Sequence, residues 1–410
     1  MFKIAKSITD SNSQNLYVDK NLFYIYGSGY NGEDMPSSMD YQGIQWKTDF
    51  PHVSRKILRQ QRVERYKPFR QFEENELTTY PSKEIKREEP YYSFEKFYKG
   101  INLWNGHFQL KHNLLVPTKT DFIYPFKSGF VHYSLIDFKE KKFIIEEDIH
   151  PVGIDYINGI VGLSTLGGEL VLYDLQKGNL ICKNQIISEN SINNCVKFFK
   201  QKGLQGLKVG CGGNDCSIYI YDLNNEVELS QKIVIDNPVN TLRISPDGNL
   251  ILVLEDQTNT EIIDLRIEKT VIQLVGHEDY GFSGDWHPDG IFVATGNQDK
   301  TCRIWDIRKP NKEFNILPSR LGSACSLKYS NSGSYLVMGE SIDFVNIYNV
   351  EKNYEEMQVI DYFGETIGFN FDEEDGDSLF IGVMVESYNG VFEYNLKRTE
   401  YLNTLSDLMF

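Results

Sequence analysis

The sequence contains no GxSxG, no HExxH, no P-loop and no G-x-G-x-x-G after a strand-like run. Those motifs supply a nucleophile, a zinc pair or a phosphate cradle, so an enzyme is not expected. No run of 18 apolar residues occurs, and the opening MFKIAKSITDSNSQ lacks the apolar core of a secretory signal; no membrane span is expected. Cysteine is sparse and scattered (Cys182, Cys195, Cys211, Cys216, Cys302, Cys325), with no CxxC pair. Only Cys211 and Cys216 are close, and no histidine cluster completes a metal site. Reduced, mostly buried thiols are expected, in an intracellular protein without metal or cofactor.

Positive charge is also in short supply. A net charge of −16 argues against nucleic acid as the main partner, because phosphate repels an acidic surface. One stretch reverses the sign: between His52 and Arg70, Arg55, Lys56, Arg59, Arg62, Arg65, Lys67 and Arg70 face a single acid, Glu64. Two surfaces of opposite charge are therefore expected. Aromatic residues, in contrast, make up 13% of the chain, a composition that suits pleated strands.

What the sequence has in abundance is a repeat. Residues 276–308 read GHEDYGFSGDWHPDGIFVATGNQDKTCRIWDIR: a Gly-His pair, an alternating strand, a His-Pro-Asp-Gly turn, a second strand, a polar turn and a third strand closing on Trp305-Asp306. Strands of that kind also end at Asp137, Asp174, Asp222 and Asp264, and at Asn349 and Asn395. The steps are 37, 48, 42, 42, 43 and 46 residues, and the turns SPDG (245–248), HPDG (287–290) and SNSG (330–333) keep time with them. A period of 40–45 residues with four strands per unit predicts an all-β, seven-bladed β-propeller of the WD40 type over 91–410.

Residues 1–90 fall outside the repeat and are read as an irregular, partly helical extension. Residues 27–40 are rich in Gly, Ser and Asp and read as a loop or linker. SRKILRQQRVERY (54–66) predicts a short helix, having strong helix formers and no breaker before Pro68. YYSFEKFYK (91–99) predicts a strand. The blade ending at Asn395 has little chain after it, so this segment is expected to close the ring there.

His277, Thr295, Asp299 and Trp305 stand at the spacing of a hydrogen-bonded tetrad, which is expected to be buried and structural rather than catalytic. Blade three keeps only Asp215 of that set. GCGGNDC (210–216) reads as a tight hairpin, and the acidic runs at 146–148 and 372–375 as solvated loops. A propeller's binding face is expected where the turns before each first strand converge with those between second and third strands. By spacing this gives Tyr280, Phe282 and Gln298 in blade five, Asn240 and Gln257 in blade four, Glu340 and Asp343 in blade six, and Glu365 in blade seven. The face reads as acidic and aromatic, suited to a positively charged peptide end. The basic segment could dock on an acidic scaffold or touch RNA.

YQGIQW (41–46), RKILRQQRVERYKPF (55–69), HFQLKHNLL (107–115), the 276–308 stretch, SIDFVNIYN (341–349), IDYFGE (360–365) and SLFIGV (378–383) resemble a WD-repeat family of fungi, plants and protists. That family is similar to the WD-repeat substrate receptor of the GID ubiquitin ligase, the CTLH ligase of other eukaryotes. The resemblance implies a non-enzymatic, cytoplasmic or nuclear protein with two protein partners and no small-molecule substrate. One partner would be a client peptide, captured at its amino terminus; the other a ligase scaffold, met by Arg55, Arg59, Arg62 and Arg65. A structural subunit of another assembly, for RNA processing or the cytoskeleton, is the second expectation, and an enzyme using the central channel the third.

Overall fold

The computed structural model describes residues 44, 54–66, 86–87 and 91–397, except 108, 148, 189–190, 225 and 386–388. The expectations for 27–40 lie outside the described residues. Among these residues the strands form five four-stranded antiparallel sheets and one sheet of eight strands. The large sheet is two blades joined by one strand. Glu356–Phe371 pairs with Ile342–Asn349 along its first part and with Ser378–Met384 along its second. Seven blades result: 115–144, 151–185, 193–234, 239–274, 281–318, 324–361, and 366–396 completed by 92–99. The innermost strands contact one another in an unbroken circle. The fold is the all-β, seven-bladed propeller that the repeat predicts.

The ring closes through strands distant in sequence. Tyr92–Lys99 lies antiparallel to Asn389–Leu396, with Tyr92 opposite Leu396 and Lys99 opposite Gly390. Phe97 stacks on Phe392 with centroids 4.2 Å apart, and Phe94 meets Tyr394 edge-on at 5.7 Å. Such pairs add about 0.5–1.5 kcal/mol each beyond the apolar area they bury. The edge that blade seven would otherwise expose is thus covered.

Repeated backbone bonds define the two rims. On the upper rim the turn between second and third strands donates back to the loop before the first strand: Leu166 to His150, Asn214 to Ile192, Asp256 to Pro238, Gln298 to Tyr280 and Ser341 to Ser323. On the lower rim lie the SPDG, HPDG and SNSG turns. Their last residues, Gly248, Gly290 and Gly333, have φ of 73°, 70° and 76°, a left-handed conformation that glycine adopts at no steric cost. Gly376, with φ of 73°, ends the corresponding turn of blade seven, where Asp372 accepts four backbone N–H groups. The acidic run at 372–375 is thus a built turn as well as a solvated loop.

The core fills the space between blades. Leu252, Leu254, Ile262 and Leu274 of blade four pack against Trp286, Val293 and Trp305 of blade five. Truncating one of these side chains would cost about 2–5 kcal/mol. The helix α1 (Arg55–Tyr66) matches its expected span, and its Leu58 joins a cluster with Ile44, Phe363 and Tyr362. A short strand, Lys86–Arg87, pairs in parallel with Glu356 and Met357.

Candidate interaction face

In blade five the tetrad is complete. Trp305 Nε1 donates to Thr295 Oγ1 at 2.8 Å, Thr295 Oγ1 lies 2.8 Å from His277 Nε2, and His277 Nδ1 lies 2.8 Å from Asp299 Oδ2. Thr301 Oγ1 and the Glu278 amide also donate to Asp299. Burial works against ionising Asp299, yet His277 and these donors hold its carboxyl down at about 2. All four residues are buried, so the network ties the second strand, its turn and the loop before the first strand into one piece. In blade three Asp215 accepts the Tyr219 hydroxyl at 2.6 Å, and its Oδ1 is buried without a partner.

The expected upper face is only partly a surface. Phe282 is buried, and its carbonyl accepts from Thr241. Glu340 is fully buried: three amides, of Arg320, Leu321 and Gly322, donate to its carboxylate at 2.7–2.8 Å, and Asn346 adds a fourth bond. Its role is to shape the loop between blades five and six. Gln298 is buried between Gln109 and Asp279, and Asn240 donates to Asp256 and to the Gly281 carbonyl. Tyr280, Gln257 and Glu365 are half-buried and remain accessible.

Asp343 corrects the sequence reading most. It is fully buried, and its partners are Arg59 and Arg62. Arg59 also reaches Asp361 at 2.5 Å, while Arg62 bonds the Phe363 carbonyl at 2.8 Å. The Arg59 guanidinium lies between the rings of Phe344 and Phe363, 4.3 Å from each centroid. Burial pushes the Asp343 carboxyl up to about 6 against the pull of both arginines. The acidic face and the basic segment, expected as opposite surfaces, therefore meet over blade six. Arg55 is buried as well, at 1% exposure, so neither it nor Arg59 is an open docking residue. The side chain of Arg65 lies outside the described residues.

An acidic corner of the rim went unread in the sequence. Glu255 occupies in blade four the place of Glu340 in blade six, each ending a second strand. The loop before blade four contains Pro238, which has no N–H to give. Glu255 Oε2 accepts from Gln257 at 2.8 Å, but Oε1 is buried with no hydrogen-bond partner among the described residues. Burial first, then Glu261, pushes this carboxyl up to about 8. The Cys216 thiol is raised by burial and then by the negative charge of Asp215, Glu255, Asp236 and Asp256. Asp256 connects through Asn240 to Gly281, the neighbour of Tyr280. The proline at 238, set against the open backbone of 320–322, was the available signal.

Four cysteines are buried and two half-buried, all reduced. Among the described residues no group of three or more His, Cys, Asp or Glu is placed to hold a metal, and no helix is long and apolar enough to cross a membrane.

Residues 268–306 match the family "WD domain, G-beta repeat". The chain is similar to U3 small nucleolar RNA-associated protein 21 of Saccharomyces cerevisiae, 25% identical over 178 residues, which are 43% of this chain and 18% of that protein. It is 28% identical over 144 residues to Protein groucho of Drosophila melanogaster, 34% of this chain and 19% of that one. Target of rapamycin complex subunit LST8 of Mus musculus is 25% identical over 170 residues, 40% and 48% of the two chains. The chain spans about a fifth of the length of the first two relatives. The chain is a seven-bladed β-propeller whose fifth blade carries a match to the WD repeat.

Proposed function

We propose that this propeller is a non-enzymatic recruiting or scaffold subunit that holds a cationic segment of a client protein on its upper rim. The observation that carries the reading is the corner around Glu255. One oxygen of the buried Glu255 carboxyl has no hydrogen-bond partner among the described residues, beside Asp256 in sequence and the accessible Gln257 that donates to its other oxygen. An ammonium or guanidinium group arriving there would displace the proton that burial keeps on Glu255 and gain charge-assisted bonds in a desolvated setting. Tyr280, next to the Asn240–Gly281 link, supplies a ring at the border. The resemblance to a WD-repeat family of fungi, plants and protists, itself similar to the GID/CTLH receptor, supports a ubiquitin-ligase assembly as the setting. The second reading, a structural subunit of an RNA-processing assembly, is favoured by the similarity to the U3-associated protein.

Affinity purification of the tagged full chain, with Glu255→Gln and Tyr280→Ala beside the wild type, tests both levels. Ligase subunits should co-purify with all three forms, and clients should fall about tenfold in the variants, near 1.4 kcal/mol. Recovery of RNA-processing subunits instead selects the second reading. Clients retained by both variants would overturn the site.

A further inference from the structure

The lower part of the central channel has a composition that the upper rim does not explain. Six innermost strands carry a bulge near their upper ends. The residue two places beyond the bulged pair is Asp155 in blade two, Lys197 in three, Arg243 in four, Asp285 in five, Lys328 in six and Asn370 in seven. One level of the channel thus gathers three cations and two acids. Lys197, Arg243, Asp285, Lys328 and Asn370 line a cavity of about 70 Å³, together with His112 and Asn113 of the segment that enters blade one.

The acids of this level are already engaged. Asp155 accepts the Phe198 amide at 2.7 Å and pairs with Lys197; Asp285 accepts the Tyr329 amide at 2.8 Å. Arg243 donates to the Leu242 carbonyl at 3.0 Å, which leaves most of its five donors without an acceptor among the described residues. Lys328 has no ion pair or hydrogen bond among the described residues; Glu373 feels the charge of Lys328 and Lys197 without bonding either. Asn113 is 1% exposed, yet neither atom of its side-chain amide has a hydrogen-bond partner. Burial, then Arg243, Lys197 and Lys328, hold the His112 imidazole well below its ordinary range against the Phe282 carbonyl, so the three cations converge on one region. The buried Asn113 amide is costly to leave unsatisfied, and an anion would meet it together with the half-buried cations.

We propose that the channel binds one oxyanion of the phosphate class, held by Lys197, Arg243 and Lys328 and by the Asn113 amide. The anion is either free or carried on a side chain that enters from the lower rim.

Calorimetric titration and thermal melting of the full chain with inorganic phosphate and with O-phospho-L-serine test the proposal, using sodium chloride at matched ionic strength as control. A saturable response is expected, weakened at least tenfold by Lys328→Met. That variant should fold, because Lys328 makes no ion pair to lose. Arg243→Gln is the second variant. Stronger binding of inorganic phosphate assigns a free ion, and stronger binding of phosphoserine a carried one. A response no larger than that to sodium chloride, or one equal in wild type and Lys328→Met, overturns the proposal.

Discussion

The Arg59 guanidinium is bonded to the Asp343 carboxylate, a partner 284 residues away in sequence. Both side chains are withdrawn from water, and Asp361 shares the same arginine. A charge pair of this kind is weak evidence for stability in itself, but removing one member strands the other. Arg59→Ala should therefore destabilise the protein by about 3–5 kcal/mol, the range for breaking a buried pair. Chemical denaturation checks this; a loss below about 1 kcal/mol, typical of an exposed pair, would show that the helix does not hold its place in solution.

His277→Ala should lower stability by about 1–3 kcal/mol, since Asp299 and Thr295 keep their buried polar atoms but lose a partner. Client capture at a temperature where the variant remains folded should be unchanged. Loss of capture with an unaltered melting curve would give the imidazole a direct role in recognition.

Removing residues 1–100 deletes the strand Tyr92–Lys99 and uncovers Phe392 and Tyr394. The shortened chain should melt at lower temperature, over a broader range and with poorer solubility. Scanning calorimetry decides the matter. A transition as sharp and as hot as that of the full chain would mean that blade seven is self-sufficient.

Glu255 gives a pH dependence of known sign. Its carboxyl titrates at about 8 when folded, against 4.5 as the ordinary value. Between those values the folded protein holds a proton that the unfolded chain has released, so stability falls as pH rises through this window. Glu255→Gln removes the group. The variant should gain about 1–3 kcal/mol on the wild type between pH 5 and pH 8, a conservative share of 1.36 kcal/mol per pH unit. Urea titrations at both values test it; parallel curves would place Glu255 in contact with solvent.

The blades were legible because their punctuation is local. A glycine with positive φ closes each of the turns at Gly248, Gly290 and Gly333, and the tetrad residues sit at fixed distances along a single repeat. The closing strand was legible from a shortage, the few residues after Asn395. The fate of Arg59 and Arg62 was not, because seven basic residues within 52–70 read as a solvated stretch whether or not carboxylates wait beyond residue 340. Glu340 was misread for a related reason. Its three donors are backbone amides of 320–322, and a main chain leaves no mark in side-chain spacing. Asp343 and Glu340 were read as acids of an open mouth, yet both are internal fittings of blade six.

Ring closure also fixes an order of events during synthesis. Ser93 leaves the ribosome early, and its partner Asn395 follows 302 residues later. At roughly 5–20 residues per second, the first strand waits on the order of 15–60 s for its neighbour. For that interval Tyr92–Lys99 is an unpaired edge, the kind of element that recruits other chains. Its central residues, Glu95 and Lys96, remain exposed in the finished blade. Burying these two charges against the edge of a second nascent copy would cost desolvation, so side chains that lie exposed in the completed ring guard it while it is still open.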